Sequence, residues 1–290
     1  MIRTLLDIVT AGLLLGGIYA LIAVGLSIQY GVARVLNIAH GEFIMLGAFI
    51  TWTLFSMLGI NPLLSLAISG PALFILGLLL YRTLLAPLRK RSASPEAFEG
   101  NSMLACFGLI FIIQNTAILI WNADMKGYSF LAFPIRVGGV AIAANRLVTL
   151  VFASLFCLIF YLYLARTRMG KAIRAAAQDP EIAGLMGVDI NRVLGLCFGF
   201  GALMAGLGGS LISISYNIQP TMGLEYTMIA LIVIVLGGLG SIPGSFLGGL
   251  SLGLAGSIVS YIEPGLSIVA YYAIFMLLLL IKPKGILGNQ

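Results

Sequence analysis

Residues 5–28 read LLDIVTAGLLLGGIYALIAVGLSI, and this stretch decides the fold class. A helix needs about 20 apolar residues to cross the hydrocarbon core of a bilayer, and this run is long enough. Eight further apolar runs follow it, several of them short or interrupted by Gly and Pro. The predicted spans are residues 5–28, 38–58, 63–85, 103–121, 147–165, 193–215, 226–239, 244–262 and 266–281. Eight full crossings with additional partial helices would fit the same pattern.

The composition excludes a water-soluble enzyme. Of the 290 residues 60% are hydrophobic and only 9% are charged, whereas a soluble domain carries roughly 25% charged residues. The apolar runs are continuous rather than alternating, which excludes a transmembrane barrel, and 36 glycines fit closely packed membrane helices. We therefore expect an all-α polytopic membrane protein with eight to nine transmembrane segments. Residues 1–290 would form one transmembrane domain embedded in the lipid bilayer.

The positions of Lys and Arg predict the orientation. With the N-terminus outside, the inner loops hold twelve of the sixteen basic residues and the outer loops hold four. The inner set is Arg34, Arg82, Arg89, Lys90, Arg91, Arg166, Arg168, Lys171, Arg174, Arg192, Lys282 and Lys284. The outer set is Arg3, Lys126, Arg136 and Arg146. Because positive charge accumulates inside, the C-terminus is expected in the cytoplasm, which requires an odd number of crossings.

The net charge of +6 has the same origin and indicates no nucleic-acid partner. The first apolar run is too long for a cleaved signal peptide, so we expect it to stay as an anchor. Three cysteines, Cys106, Cys157 and Cys197, lie inside apolar runs. They are expected to be buried, without disulfide bonds or a metal site.

Three loops stand out between the predicted spans. The inner loop 82–102 is basic at its start and acidic later, and the outer loop 122–146 contains Pro134, Gly138 and Gly139 and is interpreted as a linker. The inner loop 166–192 is the most structured of the three. In it residues 171–178 are expected to form a short helix.

A second short helix is predicted over residues 180–186. Asp179 suits the N-cap, Pro180 the first helical position, and Glu181 the positive N-terminal end, while Gly187 can stop the helix. Ile182, Leu185 and Met186 share one side of it. Apolar side chains on a cytoplasmic surface need a partner, which favours docking on another protein over packing onto the chain's own membrane helices.

Polar residues open the second apolar run, where Asn37, the single histidine His40, and Glu42 lie close together. Ionisable groups at membrane depth usually face the bundle interior or a water-filled cavity. Two interpretations stand equal: these residues cap the helix at the inner boundary, or they line a translocation path. One His and one Glu do not complete a metal site.

Residues 236–245 read LGGLGSIPGS and separate two apolar runs. Gly237, Gly238, Gly240, Ser241 and Pro243 are candidates for the translocation path, because a broken helix exposes backbone groups that bind polar solutes. A simple turn between antiparallel helices is the alternative. The segment HGEF at 40–43 matches PGSF at 243–246 and suggests a weak internal repeat.

Two motifs concern other classes of protein. Residues 249–253 fit the GxSxG pattern of hydrolases, but they lie within an apolar run without the strand–turn–helix context that this nucleophile needs. A membrane hydrolase would have to pair Ser251 with His40. No GxxxxGK[ST] motif occurs, so an ATPase that drives transport must be another chain. An ion-coupled secondary transporter would carry more membrane-embedded carboxylates than this sequence has.

Four segments resemble the permease subunits of branched-chain amino-acid ABC importers, and in particular the smaller of the two permeases. They are GLSIQYGV at 25–32, NIAHGEFIMLGA at 37–48, RTRMGKAIRA at 166–175 and GGLGSIPG at 237–244. The resemblance implies an importer built from two permeases, two cytoplasmic ATP-binding subunits and an extracytoplasmic solute-binding protein, located in the inner membrane. The chain itself would bind no cofactor, and the partner subunits would use ATP.

The resemblance also implies that residues 175–184 include the helix that couples the permease to its ATPase. The expected coupling residues are Arg174, Asp179, Pro180, Glu181, Ile182, Ala183, Gly184, Leu185 and Met186. Arg174 departs from the family pattern, which has Glu before the paired alanines, and the Pro near the end of that pattern is missing.

The expected solute is leucine, isoleucine, valine or a related amino acid. A largely uncharged path suits a zwitterion held by backbone groups at broken helices. A permease for urea, amides or simple sugars is the alternative within the same class.

Overall fold

The structure is a computed structural model that describes residues 2–137, 140–282 and 285–286. Its helices are α1 (Ile2–Ala33), α2 (His40–Leu58), α3 (Pro62–Leu80), α4 (Ala86–Arg91), α5 (Pro95–Trp121), α6 (Ala144–Arg166), α7 (Arg168–Gln178), α8 (Pro180–Leu185), α9 (Ile190–Ser215), α10 (Gly223–Gly237), α11 (Ile242–Ile262) and α12 (Ser267–Ile281). Two strands, β1 (Pro134–Val137) and β2 (Val140–Ala143), lie between α5 and α6.

Within the described ranges, eight helical segments are long and apolar enough to cross a membrane. They are α1, α2, α3 continued through α4, α5, α6, α9, α11 and α12 with its preceding turn. The helix α10 is a ninth, shorter apolar segment of 15 residues. The predicted polytopic α-helical class, with eight to nine segments, is confirmed.

The predicted inner loop 82–102 is mostly helical, and the prediction of a long loop was wrong. A π-helical turn at Tyr81–Leu85 joins α3 to α4, so the helix continues to Arg91. Only residues 92–94 separate it from α5, which starts abruptly because the hydroxyl of Ser94 accepts a hydrogen bond from the Ala97 amide (3.2 Å) and Pro95 fits the first helical position.

The segment between α5 and α6 forms a short antiparallel hairpin with Ile135 opposite Ile142, where the sequence predicted a linker. The predicted loop glycines Gly138 and Gly139 lie outside the described residues, as does Lys284 of the inner basic set. The backbone of Lys126 also pairs with Ile218 through two hydrogen bonds of 2.8 Å. We call the end of the bundle that carries residues 122–137 and 140–143 the hairpin end, and the opposite end, which carries α7 and α8, the α8 end.

The helices α1 and α9 form the centre of the bundle. Glycines let α1 approach α11 closely, because a Cβ at Gly12 would lie 2.8 Å from the Leu254 Cα and one at Gly16 would lie 2.8 Å from the Leu250 Cα. The predicted role of such glycines in close packing is therefore confirmed for this pair. The three cysteines are free and buried, also as predicted.

Two helices begin inside the bundle rather than at its ends. The ring of His40, the first residue of α2, lies 2.9 Å from the Ile22 carbonyl, eleven residues or about 16 Å of helix before α1 ends. The first turn of α10 meets it there, since the Gly41 amide donates to the Thr227 hydroxyl (2.8 Å). From this junction α2 runs to the hairpin end and α10 runs to the α8 end.

The structural counterpart of α2 is thus α10, not α11 as the matched segments HGEF and PGSF suggested. The extended stretches that interrupt the bundle are residues 34–39 before α2 and residues 216–222 before α10. The helix α11 instead follows α10 after a tight turn at the α8 end. The two matched segments share a helix start but not a position in the bundle.

Candidate functional site

The segment α7–α8 is built from two capped helices. The hydroxyl of Thr167 accepts a hydrogen bond from the Gly170 amide (2.9 Å) at the start of α7. The carboxylate of Asp179 accepts from the amides of Glu181 (2.9 Å) and Ile182 (3.0 Å) at the start of α8. The predicted start of α8 at Pro180 is confirmed, and Gly187 has a φ of +86°, but α8 ends at Leu185, one residue earlier than predicted, and α7 starts at Arg168, three residues earlier than predicted.

The helix α7 is attached to the membrane bundle. Its buried residues Gly170, Ile173 and Ala176 pack towards α6, α1 and α9. The guanidinium of Arg174 donates to the Leu164 carbonyl near the C-terminus of α6. This contact joins α7 directly to the end of α6.

The helix α8 leaves most of its apolar surface exposed. Ala183 is buried against the bundle, whereas the side chains of Ile182, Leu185 and Met186 are 60%, 88% and 81% exposed. The sequence offered docking or packing onto the chain's own helices as alternatives, and these three side chains do not pack onto the bundle. We call Ile182, Leu185 and Met186 the α8 face.

A buried polar cluster surrounds the start of α2. The amide of Asn37 donates to the Gln29 side-chain oxygen (3.1 Å), and the Gln29 amide donates to the Phe198 carbonyl (3.0 Å). A carbonyl only accepts, so the His40 Nε2 carries the proton that it donates to Ile22. The fully enclosed position differs from the inner boundary at which capping was expected.

The carboxylate of Glu42 completes this cluster. It is buried against Gly223, where a Cβ would overlap the Glu42 Oε1. Within the described part of the chain, Asn37 Oδ1, His40 Nδ1 and Glu42 Oε2 have no hydrogen-bond partner. Buried polar atoms without partners are uncommon in proteins, so these three atoms make the cluster a candidate functional site.

Residues 238–241 form a tight turn, which is the second of the two interpretations that the sequence allowed. Gly238 and Gly240 have φ values of +102° and +81°, which side chains rarely adopt. The hydroxyl of Ser241 accepts from the Gly244 amide (3.1 Å) and caps α11, whose first turn holds Pro243. Gly237 closes the end of α10. The helix break lies before α10, at residues 216–222.

A cavity of about 310 Å³ at the α8 end lies between this turn and the helix α7. Gly240, Ser241 and Pro243 line it together with Arg174 and Ser27. Asn37, His40 and Glu42 are not among its lining residues, since they lie deeper, around the junction of α2 and α10. The predicted path residues therefore occupy two separate places along the bundle.

Two residues of the buried polar cluster are missing from the sequence-based prediction. Gln29 links Asn37 to α9, and Thr227 links α10 to α2 by also donating to the Ile38 carbonyl (3.0 Å). Thr227 is a polar residue within the apolar run 226–239, a signal that was available in the sequence, whereas Gln29 directly follows the run 5–28.

The described residues do not bring Ser251 and His40 together, as a hydrolase would require, and do not form a metal site. Ser251 is exposed on α11 and its hydroxyl donates to the Leu247 carbonyl (2.8 Å), while His40 is buried beside Ile22. Among the described residues, no group of three or more His, Cys, Asp or Glu side chains could hold a metal ion.

The fold and these interrupted helices define a polytopic membrane transport protein, and comparisons with known proteins agree. The family model "Branched-chain amino acid transport system / permease component" matches residues 8–282. This chain belongs to that family. The permease BraD of the high-affinity branched-chain amino acid transport system of Pseudomonas aeruginosa is 32% identical over an alignment 298 positions long, and the alignment covers 96% of this chain and 94% of BraD.

Two further comparisons extend this result. The corresponding permease LivH of Escherichia coli K12 is also 32% identical, over 96% of this chain and 94% of LivH. The solved structure of PsaBC from Streptococcus pneumoniae in complex with Fab gives a TM-score of 0.50 at 13% identity, covering 97% of this chain and 93% of the other. At that identity the likeness shows the fold alone.

Proposed function

We propose that this chain is the permease subunit of an ATP-driven importer that carries branched-chain amino acids across the inner membrane. Membership of the branched-chain amino acid permease family over residues 8–282 carries this proposal. The names of BraD and LivH supply the solute class. The chain acts with a second permease, two cytoplasmic ATP-binding subunits and an extracytoplasmic solute-binding protein.

The α8 face is the contact with the ATP-binding subunit. Three apolar side chains that project from a capped helix offer a compact anchor for a cleft in a partner, and burying them there removes them from water. ATP binding closes the paired partner subunits and displaces α8. The displacement passes to α7, and from there through Arg174 to the end of α6.

The same displacement reaches the turn between α10 and α11. Arg174 and the turn residues Gly240 and Ser241 line one cavity, so a shift of α7 changes the space beside the turn. The helix α10 then moves against the start of α2, where Glu42 and His40 lie. The buried polar cluster is the point at which the path opens and closes.

The proposed orientation puts the hairpin end outside and the α8 end in the cytoplasm. Nine apolar segments give an odd number of crossings, which supports an N-terminus outside and a C-terminus inside. The chain after α12 returns to the α8 end, where the Ile286 amide donates to the Leu236 carbonyl (2.9 Å). The basic residues of α4 and α7 lie at the same end.

Reconstitution tests the function directly. The complete complex is placed in proteoliposomes with its binding protein, and uptake of radiolabelled leucine is measured with ATP inside and after the ion gradients are collapsed. We expect uptake that requires ATP and survives the loss of the gradients. Uptake that follows the gradients instead, or transport of urea or a sugar without leucine, would contradict the proposal.

A further inference from the structure

A second cavity is larger than the one beside the α10–α11 turn. It measures about 550 Å³ and lies at the hairpin end, between the first halves of α1 and α10, the end of α11 and the start of α12. Pockets that hold small molecules measure roughly 300–1,000 Å³. We call this space the hairpin-end cavity.

Three charged side chains line the hairpin-end cavity: Asp7 of α1, Arg146 of α6 and Glu225 of α10. All three are exposed, and no ion pair within 4.0 Å joins any of them to another residue that the structure describes. Arg146 and Glu225 each directly precede a predicted span and lie in the first turn of their helices at the hairpin end. Both signs of charge are therefore available to a ligand in one cavity.

Arg146 has a defined position in the wall of the cavity. Its guanidinium carbon lies 5.7 Å from the centre of the Tyr216 ring, a cation–π distance. The neighbouring Asn145 is also fixed, since its side-chain amide donates to the Ile214 carbonyl (3.2 Å). A guanidinium held on an aromatic face keeps its planar donors free for a carboxylate, which it binds with two parallel hydrogen bonds.

Two tyrosines form the floor of the cavity. Tyr19 and Tyr271 are buried, their hydroxyl oxygens lie 3.4 Å apart, and their rings pack edge to face with centres 6.0 Å apart. The position of Tyr271 depends on Gly256, where a Cβ would overlap the tyrosine hydroxyl. The remaining wall is partly aliphatic and includes Leu15 and Ile268.

The hairpin-end cavity shares the helix α10 with the junction of the interrupted helices. Glu225 is in the first turn of α10, two residues after Gly223, which contacts Glu42. The junction residues Gly41, Glu42 and Gly223 do not line the cavity, so the cavity and the junction are separate places that share the first turn of α10.

We propose that the hairpin-end cavity binds the solute within the permease itself, as a free α-amino acid zwitterion. Arg146 binds the carboxylate, Glu225 binds the ammonium group, and the aliphatic side chain lies against Leu15 and Ile268. The inference rests on the proposed function and adds a site to it. It also differs from the expectation that backbone groups alone hold the solute, because the cavity supplies both fixed charges.

Neutral variants in the reconstituted importer test this site. We expect Arg146→Gln and Glu225→Gln each to lower leucine uptake at least tenfold, while ATP hydrolysis without binding protein or leucine stays at the level of the unmodified importer. Glu263→Gln and Lys126→Gln are the matched controls, since they remove charges at the hairpin end but do not line the cavity. These controls should transport normally.

A second measurement identifies the ligand groups without the binding protein. Saturation-transfer NMR on the complex in nanodiscs compares leucine with leucinamide, which lacks the carboxylate, and 4-methylpentanoate, which lacks the ammonium. We expect Arg146→Gln to abolish the preference for leucine over leucinamide, and Glu225→Gln to abolish the preference over 4-methylpentanoate.

The outcomes separate the two proposals. Normal leucine uptake by both neutral variants, or equal binding of all three compounds to the unmodified complex, would overturn the cavity assignment and leave the importer proposal standing. Failure of the unmodified importer to transport any branched-chain amino acid would overturn the proposed function, and with it the inference that depends on it.

Discussion

At the scale of single residues, the position of a side chain in the structure indicates its role better than its residue type does. Leu185 is apolar like more than half of the chain, yet its side chain is 88% exposed on a helix outside the predicted spans. Glu42 is charged, yet it is buried where α2 meets α10. Both residues go against the ordinary preference of their type, and both are in the proposed machinery.

The substitution Leu185→Asp tests the α8 face. An unpaired charge buried in the contact with the ATP-binding subunit should cost several kcal/mol, so we expect loss of coupled uptake and of complex formation. Assembly is measured by size-exclusion chromatography and uptake in proteoliposomes. Lys171→Gln is the control, because Lys171 is exposed on α7 outside the α8 face. Full coupling in the Leu185→Asp importer would refute the docking assignment.

At the scale of helices, glycines determine how closely the elements approach. Gly41 in α2 faces the Gly223 carbonyl of α10, and a Cβ there would overlap the carbonyl oxygen. This pair permits the first turns of two interrupted helices to touch. The same kind of contact brings α1 against α11.

We expect Gly41→Ala to destabilise the protein. Backbone atoms cannot move aside as a side chain can, so the cost should reach or exceed the roughly 1–3 kcal/mol typical of overpacking. The control is Gly108→Ala in α5, which has open space around it and gains helix propensity. Thermal unfolding of the detergent-solubilised chain measures both. Equal midpoints for the two variants would mean that α2 and α10 do not meet as described.

The sequence was enough to predict the elements whose signals are local. The caps of α8, the apolar runs and the close-packing glycines each depend on neighbouring residues or on composition, and each was found. The pairing of α2 with α10 and the hairpin-end cavity depend on residues far apart along the chain, such as Asp7, Arg146 and Glu225. No periodicity connects such residues, so only the folded structure brings them together.

At the scale of the whole molecule, the orientation determines which end meets which partner. The proposed arrangement gives the hairpin end and its cavity to the solute-binding protein, and gives α8 to the ATP-binding subunits. The three native cysteines are buried and supply little background for thiol labelling. Single introduced cysteines can therefore report the side on which each end lies.

We expect a membrane-impermeant maleimide to label Met125→Cys in intact spheroplasts, and to label Met186→Cys only in inside-out vesicles. The side chains of Met125 and Met186 are both exposed, at the hairpin end and at the α8 end respectively. The permease is expressed without its ATP-binding subunits, so that α8 remains accessible. The unmodified chain is the control for background, and the reverse labelling pattern would show that the orientation is inverted.

The shortness of α10 has a consequence for how the protein is made. Its 15 residues extend about 22 Å, less than the roughly 30 Å of the hydrocarbon core. A segment of that length is held poorly by lipid alone as the ribosome delivers it, and the extended residues before it carry backbone amides that lipid cannot satisfy. The helix α10 packs mainly against α11, α1 and α2, so its shelter from lipid comes from the helix made directly after it and from two helices made much earlier.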